Sequence, residues 1–414
     1  MKIFVVTQYF WPETFIINDL VMHLNNQGHD VTVLTGKPNY PDGVVFDGYS
    51  EEGVLHEKYG GVIDIFRVPL RTRKTGCSRD LILNYFSFVW SGLRYFSKLV
   101  KGREADAILV FAPSPITSAI AAVPLKWMKN AHLAIWVQDL WPQSLAATGH
   151  VNNPLLLSMM GCLVRAIYYF ADSLLVQSRA FYEPVARLAS DDKIVYYPNS
   201  IDDPSRVERK TGALPTELSS LLHNKFCIVF AGNIGAAQSV ETIVQATLLL
   251  KDHDDIRVVM VGSGSRLGWV REKKEALQLD NIYLAGRFPM QVMPEIYQDA
   301  AGLIVTLKNE TIFSLTVPSK VQAYLAAGKP IIAALNGEGA KIIEESGAGL
   351  VCAAEDAKAL ANAIITLYEM NEASRGQMGN NGYAYFLEHF EMGRQATRLI
   401  KVLEQRMTSK ERER

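Results

Sequence analysis

Short apolar runs recur along the chain, and helix-length amphipathic stretches separate most of them. Residues 2–6 (KIFVV) form the first run. Ile16, Leu20 and Leu24 then recur at helical spacing before Gly28, which can close a helix, and residues 31–34 give the next strand. Further strand-like runs fall at 62–66, 108–111, 132–137, 173–176 and 194–196. Such alternation predicts a parallel sheet with crossover helices. The periodicity breaks over residues 197–212 (YPNSIDDPSRVERKTG), where proline, asparagine, aspartate and charge displace it, so this stretch reads as an interdomain linker. The alternation restarts at 226–231 and continues at 256–261, 282–284, 303–307, 330–334 and 349–351. Residues 356–406 carry only helical patterning, and the tail SKERER reads as frayed and solvated.

Two similar halves predict two α/β domains in tandem, which agrees with a length of 414 residues, more than one hydrophobic core usually holds. The domains are expected at 1–203 and 204–380, with a closing segment at 381–414. In open α/β sheets ligands bind at the carboxyl ends of the strands, so a crevice shared by the two sheets is the expected place for chemistry. A net charge of −1 argues against a whole-molecule footprint for nucleic acid. Cys77, Cys162, Cys227 and Cys352 lie far apart, without a C-x-x-C pair, which fits a reducing compartment rather than a disulfide framework. The apolar run at the N-terminus is too short for a signal-peptide core, so the cytoplasm is the expected location. No run reaches the roughly 18 apolar residues of a membrane span. The nearest approach, residues 81–100 (LILNYFSFVWSGLRYFSKLV), reads as an amphipathic helix following Arg67, Arg71, Arg73 and Lys74. Basic residues beside aromatics suit an interfacial membrane contact, although Phe86, Trp90 and Leu93 could equally face the sheet.

Several post-strand loops carry candidate chemistry. In AGNIGAAQSVETI, Gly232 and Gly235 allow tight turns before a helix that starts near Ser239 and offers free N–H groups to a phosphate. VGSGSRLG has Leu267 where a dinucleotide motif needs its third glycine, which leaves Arg266 as a phosphate neighbour or a solvated first-turn arginine. VPSKVQAYLAAGKPIIA is the most informative run: Pro318, Ser319 and Lys320 open a short helix and Gly328 ends it. The helix dipole disfavours a cation in the first turn, so Lys320 makes sense with an anion such as a diphosphate between it and the helix. NGEGAKII places Glu338 where it can accept from sugar hydroxyls, and GRFP offers Arg287 to phosphate and Phe288 to a base. QYFWPET and QDLWP set the carboxylates of Glu13 and Asp139 beside tryptophans, an arrangement suited to orienting or deprotonating a sugar hydroxyl. The Asp252-His253-Asp254 triplet precedes a strand, away from its carboxyl end, and reads as a solvated helix end rather than a metal site.

The segments YFWPE, GHDVTVLTG, QDLWP, AGNIG, VPSK and YLAAGKPIIA resemble the GT-B glycosyltransferases, specifically the retaining family that includes sucrose and mannosyl transferases. The likeness spans nearly the whole chain and looks closest to bacterial O-antigen and capsule enzymes of the L-fucosamine transferase type. It implies two Rossmann-like domains facing across a cleft, and a last helix returning to the first domain. It also implies a UDP-sugar donor in the second domain, a lipid-diphosphate-linked sugar acceptor in the first, no metal or other cofactor, and peripheral attachment to the cytoplasmic face of the inner membrane. Lys320 would stabilise the leaving diphosphate, with Gly232, Asn233, Gly235, Arg266, Arg287, Ser319, Gln322 and Glu338 around the donor and Asp139 or Glu13 orienting the acceptor. The family usually carries two glutamates where this chain has Leu315 and Ala323, with Gln322 and Glu310 nearby as substitutes, and Asn233 and Gln238 stand at or near its usual Arg and Lys. Two other readings share the architecture: a UDP-sugar 2-epimerase, and a binding subunit without catalysis.

Overall fold

A computed structural model describes residues 1–74, 78–147, 153–206 and 214–412. Cys77, residues 207–212 of the expected linker and the last two residues of the tail lie outside them. The chain divides into two units, Met1–Ser200 with Met392–Arg414, and Ile201–Glu391.

The first unit runs β1 (Lys2–Thr7), α1 (Ile16–Asn26), β2 (Asp30–Gly36), β3 (Leu55–Tyr59), β4 (Ile63–Val68), α2 (Ser78–Leu99), β5 (Ala107–Ala112), α3 (Val123–Lys129), β6 (His132–Val137), α4 (Gln143–Ala147), α5 (Pro154–Phe170), β7 (Ser173–Val176), α6 (Tyr182–Ala186) and β8 (Ile194–Tyr196). Its sheet has the order β3-β4-β2-β1-β5-β6-β7-β8. Every neighbouring pair is parallel except β3 with β4. β5 and β6 are buried along their whole length, which explains their unbroken apolar sequence. The edge strand β3 (LHEKY) is half-exposed and carries charge, so no apolar run announced it. Right-handed crossovers place helices by direction of travel: β4 to β5, β5 to β6 and β6 to β7 advance one way, and β1 to β2 goes the other. Helices α2, α3 and α5 therefore share one face, and α1 lies on the opposite one. The C-terminal helix, Met392–Arg412, joins α1 there, with Met392, Ala396, Leu399 and Leu403 buried in the same core as Ile17, Leu20, Val21 and Leu24. The return to the first unit thus begins at Met392, not at 381.

The second unit runs α7 (Thr216–Asn224), β9 (Phe226–Asn233), α8 (Val240–Leu249), β10 (Ile256–Ser263), α9 (Leu267–Ala276), β11 (Ile282–Gly286), α10 (Met293–Asp299), β12 (Gly302–Thr306), α11 (Thr311–Leu315), α12 (Ser319–Ala327), β13 (Ile331–Ala334), α13 (Glu338–Ser346), β14 (Gly349–Cys352), α14 (Ala357–Glu369) and α15 (Glu372–His389). Its sheet, β11-β10-β9-β12-β13-β14, is parallel throughout. Strand order reverses between β9 and β12, the place where ligands of such sheets bind. Residues 381–389, expected with the closing segment, belong to α15 and stay with this unit. Among the described residues, no helix is long and apolar enough to cross a membrane.

Candidate functional site

At the carboxyl end of β9 the backbone turns through Gly232, whose φ of +123° is strained for any other residue. A Cβ there would lie 2.8 Å from Lys320 Cε, so the glycine leaves the space that the lysine crosses. Lys320, in the first turn of α12, places its Nζ 2.9 Å from Gln238 Oε1 and 3.6 Å from the centroid of the Phe230 ring. Burial pulls its pKa down to about 7. Among the described residues no carboxylate pairs with it. The loop after β12 is stitched to the same place: Thr306 Oγ1 donates to the Gln238 carbonyl, and Lys308 N donates to the Ala237 carbonyl at 3.0 Å. Gly262 of β10 closes the other side, since a Cβ there would sit 1.9 Å from the Gly232 carbonyl oxygen. A cation held against a helix N-terminus without an acid is arranged for an anionic ligand.

The chain matches two family models in succession: residues 15–200 match the glycosyl transferase 4-like domain, and residues 225–370 match glycosyl transferases group 1. The chain is a glycosyltransferase. Pseudomonas aeruginosa has a relative 24% identical over 322 residues, covering 76% of this chain and 78% of that protein, which carries the name Probable glycosyltransferase WbjE. WcaI of Escherichia coli K12, named for glycosyl transfer in colanic acid biosynthesis, is 25% identical over 79% of this chain and 82% of its own length. Among solved structures, Anabaena HepE in complex with UDP superposes with a TM-score of 0.68 at 13% identity, over 98% of this chain and all of that one. The transferase therefore has the GT-B fold, two α/β domains with parallel sheets.

Within this transferase the expected donor residues fare differently. Gly232 and Asn233 end β9, Gly235 follows in the same loop, and Ser319 opens α12 beside Lys320, so these five lie around one strand end. Arg266 does not present a free charge. Its guanidinium pairs with Glu241 and lies 4.9 Å over the Trp269 ring, so it fastens α9 to α8. Arg287 is exposed beyond β11, while Phe288 packs on the core. Gln322 is buried within α12 and already has a partner in the protein. Glu338 begins α13 after Gly337, is only 3% exposed, and its Oε1 has no partner among the described residues. Of the carboxylates near the missing family glutamates, Glu338 is thus the buried one with an acceptor to offer. Glu310 is exposed at the start of α11.

In the first unit the two expected acids have separate jobs. Glu13 is 2% exposed and accepts from the backbone N–H groups of Phe10 (3.0 Å), Asn39 (2.8 Å) and Tyr40 (2.7 Å). It fastens the loops after β1 and β2 together, which corrects its reading as an acceptor-facing acid. Asp139, after β6, is half-buried, accepts from Trp141 Nε1 at 3.2 Å, and has its pKa raised by burial. Arg67, counted with the basic stretch, is fully buried. It bonds Glu57, the Gly36 carbonyl (3.1 Å) and the Trp11 carbonyl, so it offers nothing to a membrane. Sequence reasoning passed over a group of aromatic residues at these strand ends: Tyr9 stacks on Phe15 with 5.5 Å between ring centroids, Tyr40 leans on both, and Tyr85 of α2 lies 6.3 Å from Trp141. The available signal was a tyrosine shortly after β1 and another after β2.

Proposed function

We propose that this transferase moves a deoxyamino sugar, N-acetyl-L-fucosamine or a close relative, from a UDP donor to a lipid-diphosphate-linked sugar, with retention, in O-antigen or other surface polysaccharide assembly. The observation that carries the reading is Lys320, a buried cation without an acid among the described residues, at the strand-order switch of the second sheet. Support for UDP comes from HepE, whose structure holds it, and for polysaccharide assembly from the name of WcaI. As the glycosidic bond to the diphosphate breaks, negative charge builds on the leaving oxygens. Lys320 and the free N–H groups opening α12 are placed to stabilise it, with no metal required by the scheme. Glu338 accepts from a donor hydroxyl, taking over from the absent family glutamates. Asp139, its pKa raised by burial, orients the acceptor hydroxyl as a hydrogen-bond acceptor of increased basicity.

The decisive assay incubates purified protein with UDP-sugar, with and without a lipid-diphosphate-linked sugar. The expected result is a lengthened glycolipid and free UDP only when the acceptor is present. An isomerised UDP-sugar in the absence of acceptor favours the 2-epimerase, and donor binding without turnover against an acceptor panel favours the non-catalytic subunit.

Attachment to the cytoplasmic membrane face is part of the proposal. On α2, Phe88, Val89 and Phe96 are buried, whereas Ile82, Phe86, Trp90 and Leu93 form an exposed stripe, with Phe86 at 64% and Trp90 at 68% exposure. Arg94 and Lys98 flank that stripe. Phe86→Ser with Trp90→Ser is expected to reduce co-sedimentation with anionic vesicles about tenfold or more, from the apolar area lost. Transfer to a short-chain, detergent-soluble acceptor is expected to stay unchanged. Undiminished vesicle binding removes α2 from the contact.

A further inference from the structure

The loop after β4 carries Arg73 against a pair of tyrosines. Its guanidinium carbon lies 5.9 Å from the Tyr9 ring centroid and 5.2 Å from that of Tyr40. Tyr9 and Tyr40 follow β1 and β2, and the sheet runs β4-β2-β1 in that order. Tyr9 is buried and Tyr40 is 40% exposed, so the pair reaches from the interior to the solvent. The neighbouring arginines are already engaged, Arg67 with Glu57 and Arg71 with Asp80 at 3.4 Å. Among the described residues Arg73 has ring contacts only, with no carboxylate or carbonyl bonded to it. Neither ring is a hydrogen-bond acceptor of carboxylate or carbonyl kind, so the N–H groups of the guanidinium remain available to a planar or bidentate anion.

The position of this fork relative to α2 matters. Arg71 N donates to Ser87 Oγ at 3.0 Å, and Asn84 Nδ2 donates to the Arg71 carbonyl at 2.6 Å, so the loop is pinned against the helix that also carries Phe86 and Trp90. Arg73, two residues beyond that anchor, is held beside the helix whose outer stripe is exposed. We propose that Arg73 is the anchor for the diphosphate of the lipid-linked acceptor, its fork gripping phosphate oxygens while Tyr9 and Tyr40 hold the side chain from one side. This inference rests on the acceptor class proposed above. It assigns the first unit an anion site of its own, separate from the donor site around Lys320 in the second. The lipid chain leaves the site along the α2 stripe, and the sugar points toward the strand ends that bear Asp139.

The test uses the full-length protein saturated with UDP, so that the donor site is filled, and titrates farnesyl diphosphate and farnesol by calorimetry. Arg73→Gln is expected to weaken farnesyl diphosphate binding by about tenfold to a hundredfold, the loss typical of a charged hydrogen bond. Farnesol and UDP-sugar affinities stay as in the wild type. Arg73→Lys falls between the two, because it restores charge without the fork. Equal farnesyl diphosphate affinity in the wild type and Arg73→Gln overturns the proposal, as does an equal loss for farnesol, which marks a packing role, or no binding by the wild type at millimolar concentration. If Arg73-dependent binding persists but no lipid-linked acceptor is glycosylated, the anion site stands and the proposed acceptor is wrong. Unfolding temperatures matched to the wild type identify variants fit for the comparison.

Discussion

Lys320→Ala is expected to abolish sugar transfer while the protein remains folded. Removing one charged donor from a leaving-group site lowers turnover by about a hundredfold to a thousandfold. The fold tolerates the change because, among the described residues, the ammonium makes a single hydrogen bond, to Gln238, and burial works against its charged form. The same burial gives a pH signature. With its pKa pulled down to about 7, Lys320 loses its proton in the free enzyme as pH rises above neutrality, and a diphosphate needs it charged. Binding of UDP-sugar then takes up a proton, and affinity falls by up to about tenfold for each pH unit above 7. Calorimetry between pH 7 and 9, in buffers of different ionisation heat, reads both effects. Unchanged turnover in Lys320→Ala, or a pH slope that survives the substitution, removes this lysine from the mechanism.

Glu13→Ala is expected to strike stability instead. The carboxylate satisfies three buried backbone N–H groups, and each donor left without a partner costs about 1–3 kcal/mol, so the total is about 3 kcal/mol or more. For a unit of this size that lowers the unfolding temperature by about 6–12 °C. Tryptophan fluorescence follows the correct unit, because Trp11, Trp90, Trp127, Trp136 and Trp141 all lie in it and only Trp269 does not. A pH dependence accompanies it. Burial pushes the Glu13 pKa up to about 7, above the ordinary value of 4.5. Between those values the unfolded chain has released a proton that the folded one keeps, so this residue's contribution falls as pH rises from about 4.5 to 7. Glu13→Gln is expected to lose that slope and to lie between wild type and Glu13→Ala in stability. An unfolding temperature unaltered in Glu13→Ala, with transfer lost, would return this residue to the chemistry.

Much of the architecture was legible in the residue pattern. Unbroken apolar runs marked β5 and β6 because both faces of a central parallel strand are covered. Pro318 and Gly328 bounded α12 within a residue, since ring-fixed φ suits a helix start and Gly328, with φ of +63°, suits its end. The half-exposed strand β3 and the start of the returning helix were not legible, because partial burial and packing on α1 leave no strong local period.

The candidate site divides along the same line. The sequence alone placed Gly232, Ser319 and Lys320 at strand ends, since local turn and helix-start chemistry depends on near neighbours in the chain. Tertiary structure decided which charges are left over. Arg67 meets a carbonyl 56 positions away at Trp11, Glu13 reaches N–H groups beyond the next strand, and Arg266 finds Glu241 across a helix pair. Among the described residues Arg73 and Lys320 meet aromatic rings instead of acids. Whether a charge is neutralised depends on contacts that only folding brings together, and composition counts every arginine alike.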